Sequence, residues 1–460
     1  MPVGSRCWSA PPMFIAIRSS WPLFLGVALM MLGSGLQTSL LGVRAGLEAF
    51  DTSATGLIMS MYFVGFLAGS LLVPRMIGQV GHVRVFAALA SIASTATLVH
   101  VVFVEPVTWA VVRMLTGFAF AGLFIVAESW LNDRATNQTR GSLLAVYMVV
   151  MLGGTAAGQL LLNLDDPTRF QLFALVSVLI SLSLVPLLLS ATPAPAIQVP
   201  EKVGVRQLYR ASPLGVVGCF GTGIAHGAAL GMGAVYAGAA GFTLAEISAF
   251  MGAIYLGGML AQAPIGVLSD RFDRRLVLTV TTLAAAAAAV AAGWGMGVSN
   301  AATIGLAAVL GGLTLPLYAL CVSHTNDYLT PTQMPAASGR LYLVTGVGAT
   351  LGPLAVALLM DLQGPVAYFG FLAAVHLAIG VFALWRMTRR AAKPLEEQGH
   401  YASLSSTATQ VAAVMVAEEA VEHQPEEAET DWVTAGDVLS AETAAMDAAN
   451  DDETPAVREA

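Results

Sequence analysis

The chain has 460 residues, of which 56% are hydrophobic and only 11% charged, with a formal net charge of −8. Its apolar runs are continuous rather than alternating ten-residue segments, which argues against a membrane β-barrel and for helices of about 20 residues that span a bilayer. The charge pattern suggests no nucleic-acid partner.

In chain order, a short tail (1–20) leads into a first run at 21–43. This run follows Arg18, lacks a convincing cleavage site and is too long for a signal-peptide core, so it is expected to remain a span. Further runs follow at 54–74, 84–104, 107–130, 141–163 and 169–190. A connection rich in proline and charge, 191–212, reads as a linker. Six more runs occupy 213–238, 245–268, 276–297, 301–323, 339–360 and 364–386. The expected division is a first six-helix bundle at 21–190, a second at 213–390 and an acidic tail at 391–460. From residue 394 onward the chain holds 16 acids against Arg458 alone, is alanine-rich and resembles a disordered segment, with at most a transient helix at 405–422. Residues 1–393 are basic by contrast, with a net charge of +7.

Short basic turns between apolar runs report orientation. With twelve spans and a cytoplasmic N-terminus, 18 of the 21 Lys and Arg fall in inner loops or tails. Arg44 and Arg169 fall outside, and Arg113 lies within a span. Both termini are therefore expected to be cytoplasmic. Cys7, Cys219 and Cys321 show neither metal spacing nor a disulfide framework, and no metal or cofactor is expected.

The two sets of six runs echo each other. Gly33-Ser-Gly35 in run one is matched by Gly221-Thr-Gly223 in run seven. Gly154-Thr-Ala-Ala-Gly158 in run five is matched by Gly348-Ala-Thr-Leu-Gly352-Pro353 in run eleven. Run four ends at Glu128-Ser-Trp-Leu-Asn-Asp133, run ten at Val322-Ser-His-Thr-Asn-Asp327. Gly81-His82-Val83-Arg84 stands where the second half has Asp273-Arg274-Arg275. Four echoes in one order indicate a parallel repeat about an axis along the membrane normal.

Gly266-Val-Leu-Ser-Asp270-Arg271-Phe-Asp-Arg274-Arg275 resembles the cytoplasmic-loop signature of the major facilitator superfamily, and Arg113-Met-Leu-Thr-Gly117 resembles its Arg-x-x-x-Gly motif. Val126-Ala-Glu-Ser-Trp130, Arg140 to Tyr147 and Gly158-Gln159-Leu160 resemble the bacterial YcaD-like branch. The resemblance covers roughly residues 20 to 390. It implies an all-α integral membrane carrier of twelve helices, in two pseudo-symmetric bundles around a central cavity, working by alternating access. It gives a mechanism and no cargo. Two departures stand out: Gly78 occupies the place of Asp270 in the first-half loop, and no proline follows Gly158. The proline-bearing form appears only at Gly352-Pro353, which weakens any inference about antiport. Gly117, Gly154, Gly158, Gly352 and Pro353 are read as hinge or packing positions.

Several residues carry chemistry at depth. Asp270, Arg271, Arg274 and Arg275 are expected to pair with helix ends across the two halves and so to gate the inner mouth; the alternative is a turn that only fixes topology. Arg113 either binds an anionic group or holds a proton-site carboxylate, or else snorkels or pairs with backbone carbonyls. Glu128 lies about 22 Å further along the same helix at 1.5 Å per residue. It is expected to form an inner-gate pair with Arg75 or Arg84 rather than to carry protons. Gln37 and His226 occupy corresponding Gly-interrupted runs and are read jointly as cavity residues, with Gln159 and Gln262 as further cavity candidates. His226 is either a proton-coupling group or a neutral packing residue.

No Walker-type phosphate loop and no nucleophile–base pair stands out, so neither direct ATP drive nor an enzyme is expected. The expected function is secondary active transport of a small solute, coupled to an ion gradient and most simply to protons, by a monomer in the bacterial inner membrane. The rival is a non-transporting receptor that retains the fold.

Overall fold

Local chemistry sets where each apolar run starts and stops as a helix. In the computed structural model, residues 17–136, 138–189, 204–295, 299–330, 332–399, 401, 404, 409, 411, 412 and 415 are described. Twelve helices are long and apolar enough to cross a bilayer. They are α1 Trp21–Leu47, α2 Thr52–Val80, α3 His82–Val102, α4 Pro106–Arg134, α5 Arg140–Leu160 and α6 Gln171–Leu189. The second set is α7 Pro213–Ala239, α8 Leu244–Arg271, α9 Arg274–Gly295, α10 Asn300–Asn326, α11 Met334–Gln363 and α12 Ala367–Met387. Side chains of Glu105, Ser212 and Ser299 accept the orphan N–H groups at the starts of α4, α7 and α10. Thr243 and Glu246 do so reciprocally at the start of α8. Gly81 (φ 87°) and Gly364 (φ 78°) end α2 and α11 in a conformation that costs glycine nothing.

One expected run is not a single helix. The run at 301–323 is α10 in two pieces, Asn300–Thr314 and Leu317–Asn326. Pro316 has no N–H to continue the ladder, so the helix breaks there. Inside the expected linker, Val205–Ala211 is a short helix; residues 190–203 lie outside the described residues, as do 1–16 and 416–460. The tail departs from the expected disorder at its beginning. Residues 391–399 and the described residues out to Met415 are placed, and Leu404, Thr409, Ala412 and Met415 are fully buried.

The repeat is visible in the packing. In the first half α1 packs on α5 and α6, α2 on α4, and α3 on α4 and α6; in the second, α7 packs on α11 and α12, α8 on α10, and α9 on α10 and α12. Adding six to each helix number turns one set into the other. The halves meet through α2 with α11 and α5 with α8, two seams that the same operation exchanges, and through α1 with α7. The matched glycines explain how the equivalent pairs come close. A side chain at Gly35 would strike the Thr155 carbonyl and one at Gly158 the Leu32 carbonyl; at Gly223 and Gly352 the obstacles are the carbonyls of Thr345 and Ile224. Helices without a hydrophobic drive to associate in lipid rely on such close backbone approach. Gly154 faces Met31, and Gly117 sits against the Tyr62 carbonyl, which seats α4 on α2. Pro353 lies inside α11, with its ring facing Gly231 of α7. Outward positions such as Leu72, Leu182, Leu260 and Leu351 stay exposed and apolar, as a lipid-facing surface requires.

Candidate functional site

The two bundles meet differently at the two ends of their seam. At the face where α1 ends and α2 begins they touch directly. The backbone N–H of Ser53 donates to Asp361 Oδ2 (3.0 Å). Asn163 Nδ2 donates to Ser248 Oγ (2.9 Å), whose own proton goes to the Gln159 carbonyl (2.7 Å). Gly42 faces Ala234 and Val235, and Gly56 faces Ala357. Mid-way along the seam, Phe66 and Tyr342 rings lie 6.1 Å apart, with Ser70 Oγ 3.4 Å from the Tyr342 hydroxyl.

At the face where α4 ends and α5 begins, Thr409 and Ala412 of the C-terminal region lie against the first bundle and Tyr401 against the second. Glu128, at 0% exposure, is the one acid among the described residues fully buried within a span. Its carboxylate accepts from the Tyr147 hydroxyl (3.0 Å), the Thr409 N–H (3.0 and 3.1 Å) and hydroxyl, and the Ala412 N–H (3.2 Å). That fills about four acceptor positions, the capacity of a carboxylate. The expected partnership with Arg75 or Arg84 is therefore corrected: Arg75 donates to the Leu71 carbonyl on its own helix and Arg84 is exposed.

The charged turn also pairs differently from the expectation. Arg274, 1% exposed, contacts Asp327 at 2.6 Å and donates to Ser269 Oγ (2.9 Å), the Ser323 carbonyl (3.1 Å) and the Gly399 carbonyl. Asp270 lies 3.7 Å from Arg274. Arg275 pairs with Asp273 at 2.9 Å and donates to the Arg390 carbonyl (2.8 Å). Apart from Gly399 of the C-terminal region, every one of these partners belongs to the second half. Burial works to raise the Asp273 carboxyl, but the N–H groups and charge of Arg275 outweigh it and hold the group below the ordinary carboxylate range. Arg271 is exposed.

Of the cavity candidates, Arg113 is 3% exposed, and its guanidinium lies over the Tyr62 ring at 4.5 Å. Its Nε has no hydrogen-bond partner. Gln159 accepts from Ser39 and keeps an unpartnered Nε2. Gln262 accepts from the Tyr401 hydroxyl (2.8 Å). Gln37 and His226 are not brought together. Gln37 donates to Thr97 Oγ1 (3.0 Å) inside the first bundle. His226 Nε2 donates to the Thr314 carbonyl (2.9 Å) at the α10 break, inside the second. Beyond it, Thr314 Oγ1 lies 3.1 Å from His376 Nε2, and His376 Nδ1 donates to the Leu372 carbonyl (2.7 Å). These partners fix both tautomers: His226 carries its proton on Nε2, and neutral His376 carries its own on Nδ1 and accepts from Thr314. His376 stands out in the sequence as a lone histidine in an apolar run, whereas Ser39, Ser248 and Thr314 are too small to register against their apolar neighbours. Among the described residues no group of histidines, cysteines and acids could hold a metal ion.

Comparison with known proteins agrees with this architecture. A family model described as Major Facilitator Superfamily matches residues 23–261 and 234–417. The MFS-type transporter YcaD of Escherichia fergusonii is 27% identical over 385 residues, covering 83% of this chain and 99% of its own. YcaD of Escherichia coli is 28% identical over 341 residues, covering 74% and 88%. Among solved structures, the nucleoside transporter NupG aligns with a TM-score of 0.68 at 12% identity, over 81% of this chain and 99% of its own. A bacterial homolog of the human lysosomal transporter Spinster, in an inward-facing and unoccupied conformation, aligns with 0.62 at 14% identity, over 91% and 100%. At these identities the structural likeness shows the fold alone.

Proposed function

Because the chain belongs to the major facilitator superfamily, we propose that it is a secondary active transporter that moves a small solute across the bacterial inner membrane by alternating access. The observation that carries this reading is the unequal seam: direct bundle-to-bundle contact at the far face, through Ser53–Asp361 and Asn163–Ser248, and residues of the C-terminal region against each bundle at the other. Two bundles related by a parallel repeat need only rock about the middle of the seam to exchange those conditions. The bias of Lys and Arg to one side supports cytoplasmic termini, so the far face is read as periplasmic.

Two buried charges stand ready along the path. Arg113 keeps an unpartnered Nε beside Tyr62 and suits an anionic or carbonyl group of the solute. Glu128, the enclosed carboxylate, suits the coupling proton; this departs from the sequence-based preference for a gate pair, because its donors are uncharged. His226 and His376, each engaged inside the second bundle, are read as packing groups.

The test begins with a thermal-shift screen of the purified protein against metabolites and drugs, since a bound ligand raises apparent stability. The ligand found is then followed in proteoliposomes. Flux driven by an imposed pH gradient and lost with a protonophore supports proton coupling. Arg113→Ala is expected to cut flux at least tenfold, and Glu128→Gln to remove its dependence on the gradient. Binding without flux would overturn transport and leave a receptor; unchanged flux in both variants would overturn the two assignments. A reporter fused after Lys393 should be active only in the cytoplasm.

A further inference from the structure

The acidic C-terminal region reads in sequence as a solvated tail, yet four of its described residues are fully buried. Thr409 gives Glu128 both its N–H and its hydroxyl, and Ala412 adds a second N–H (3.2 Å). Leu404, Thr409, Ala412 and Met415 have no exposed surface. The approach to them is anchored stepwise. Lys393 Nζ donates to the Asp327 carbonyl (2.6 Å), and Gly399 bonds Asp327 through its N–H (3.1 Å) and Arg274 through its carbonyl. The Tyr401 N–H goes to Asp270 (2.6 Å), its hydroxyl to Gln262 (2.8 Å), and its ring lies on Gly266, where any side chain would collide with it.

These contacts divide between the halves. Glu128 and Tyr147 belong to the first bundle; Gln262, Gly266, Asp270, Arg274 and Asp327 belong to the second or its connecting loops. We propose that Tyr401, Leu404, Thr409, Ala412 and Met415 form a tethered occupant of the transport path, held at Glu128, and that the carrier cycles only when they withdraw. This rests on the transport reading of the fold. Three consequences of the geometry support it. Thr409 and Ala412 supply three of the four donors that fill the acceptor capacity of Glu128, the one acid among the described residues fully buried within a span, so a solute or proton reaching that carboxylate must displace them. By bonding to both bundles the occupant also resists the rocking that would bring their terminal ends together. As part of the same chain it binds intramolecularly, so it competes without needing high intrinsic affinity. Charged residues of the turn between α8 and α9, Asp270 and Arg274, become its anchors instead of a cross-bundle latch.

The experiment separates docking from gating. A chain ending at Gln398 is purified and titrated with a fluorescent synthetic peptide of residues 399–417. Binding is expected, and Glu128→Gln is expected to weaken it at least tenfold. No binding to the truncated chain, or equal binding to the Glu128→Gln form, overturns the docking. Gating is read in the full chain and in the truncated one by spin labels at Asp133→Cys and Arg271→Cys, at the terminal ends of α4 and α8, after replacing the native cysteines. The truncated chain is expected to populate shorter distances, and added peptide to restore the original distribution. An unchanged distribution overturns the occupant role even where the peptide binds. Neither measurement needs a transported solute, so failure to detect flux would count against transport and leave the docking result standing.

Discussion

Arg274 and Asp273 allow the sharpest tests at the scale of single residues. Arg274 and Asp327 are 1% and 3% exposed and 2.6 Å apart. Removing one member of a buried pair strands the other, at a cost of about 3–5 kcal/mol. Arg274→Ala is therefore expected to lower the apparent melting temperature strongly, whereas Arg271→Ala, at an exposed site, should change stability by no more than ~0.5 kcal/mol. Asp273 gives a pH dependence of known sign. Its carboxyl is held below its unfolded value by Arg275, so its contribution is present above about pH 4 and is lost as pH falls through the folded value. Melting curves of Asp273→Asn should lose that part of the acid sensitivity while matching the parent more closely at pH 3; an unchanged profile would contradict the assignment. Much of this was readable beforehand in identity but not in partnership. Glu128 and Arg113 stand out because charge in an apolar run is rare. Thr409 does not, since an alanine-rich acidic stretch offers no periodic pattern, and its burial depends on a carboxylate far away in sequence.

Among the helices, composition located all twelve spans because about 20 apolar residues leave few alternatives. What it could not foresee was the interruption of α10, since a single proline in an apolar run either kinks or breaks a helix according to its neighbours. The glycine echoes carried more information than hydropathy did, marking the equivalent contacts of α1 with α5 and α7 with α11. They also predict which substitutions matter. Gly352→Ala places a methyl group against the Ile224 carbonyl, a backbone atom that cannot turn aside, and is expected to cost about 1–3 kcal/mol. Gly370→Ala, with nothing nearby in α12, should be neutral or stabilising by ~0.5–1 kcal/mol. Thermal denaturation in detergent compares the two directly, and equal effects would mean that the α7–α11 approach is looser than described.

For the whole molecule, the repeat shows in which helices touch, while the unequal seam shows that the two ends are not in the same condition. If the far face must part during transport, a cross-link there stops the cycle. Asn163→Cys with Ser248→Cys replaces a 2.9 Å contact between α8 and the end of α5. Oxidation is expected to abolish flux and reduction to restore it; undiminished flux in the cross-linked protein would exclude rocking about this seam. The buried carboxylate of α4 also has a history in time. Tyr147 follows Glu128 by 19 residues, but Thr409 follows it by 281. At about 5–20 residues per second the ribosome delivers the second partner roughly 14–56 seconds after the acid itself. Of these two partners only Tyr147 is present for most of that interval, so each newly made chain holds its acid open on one side before Thr409 exists to close it.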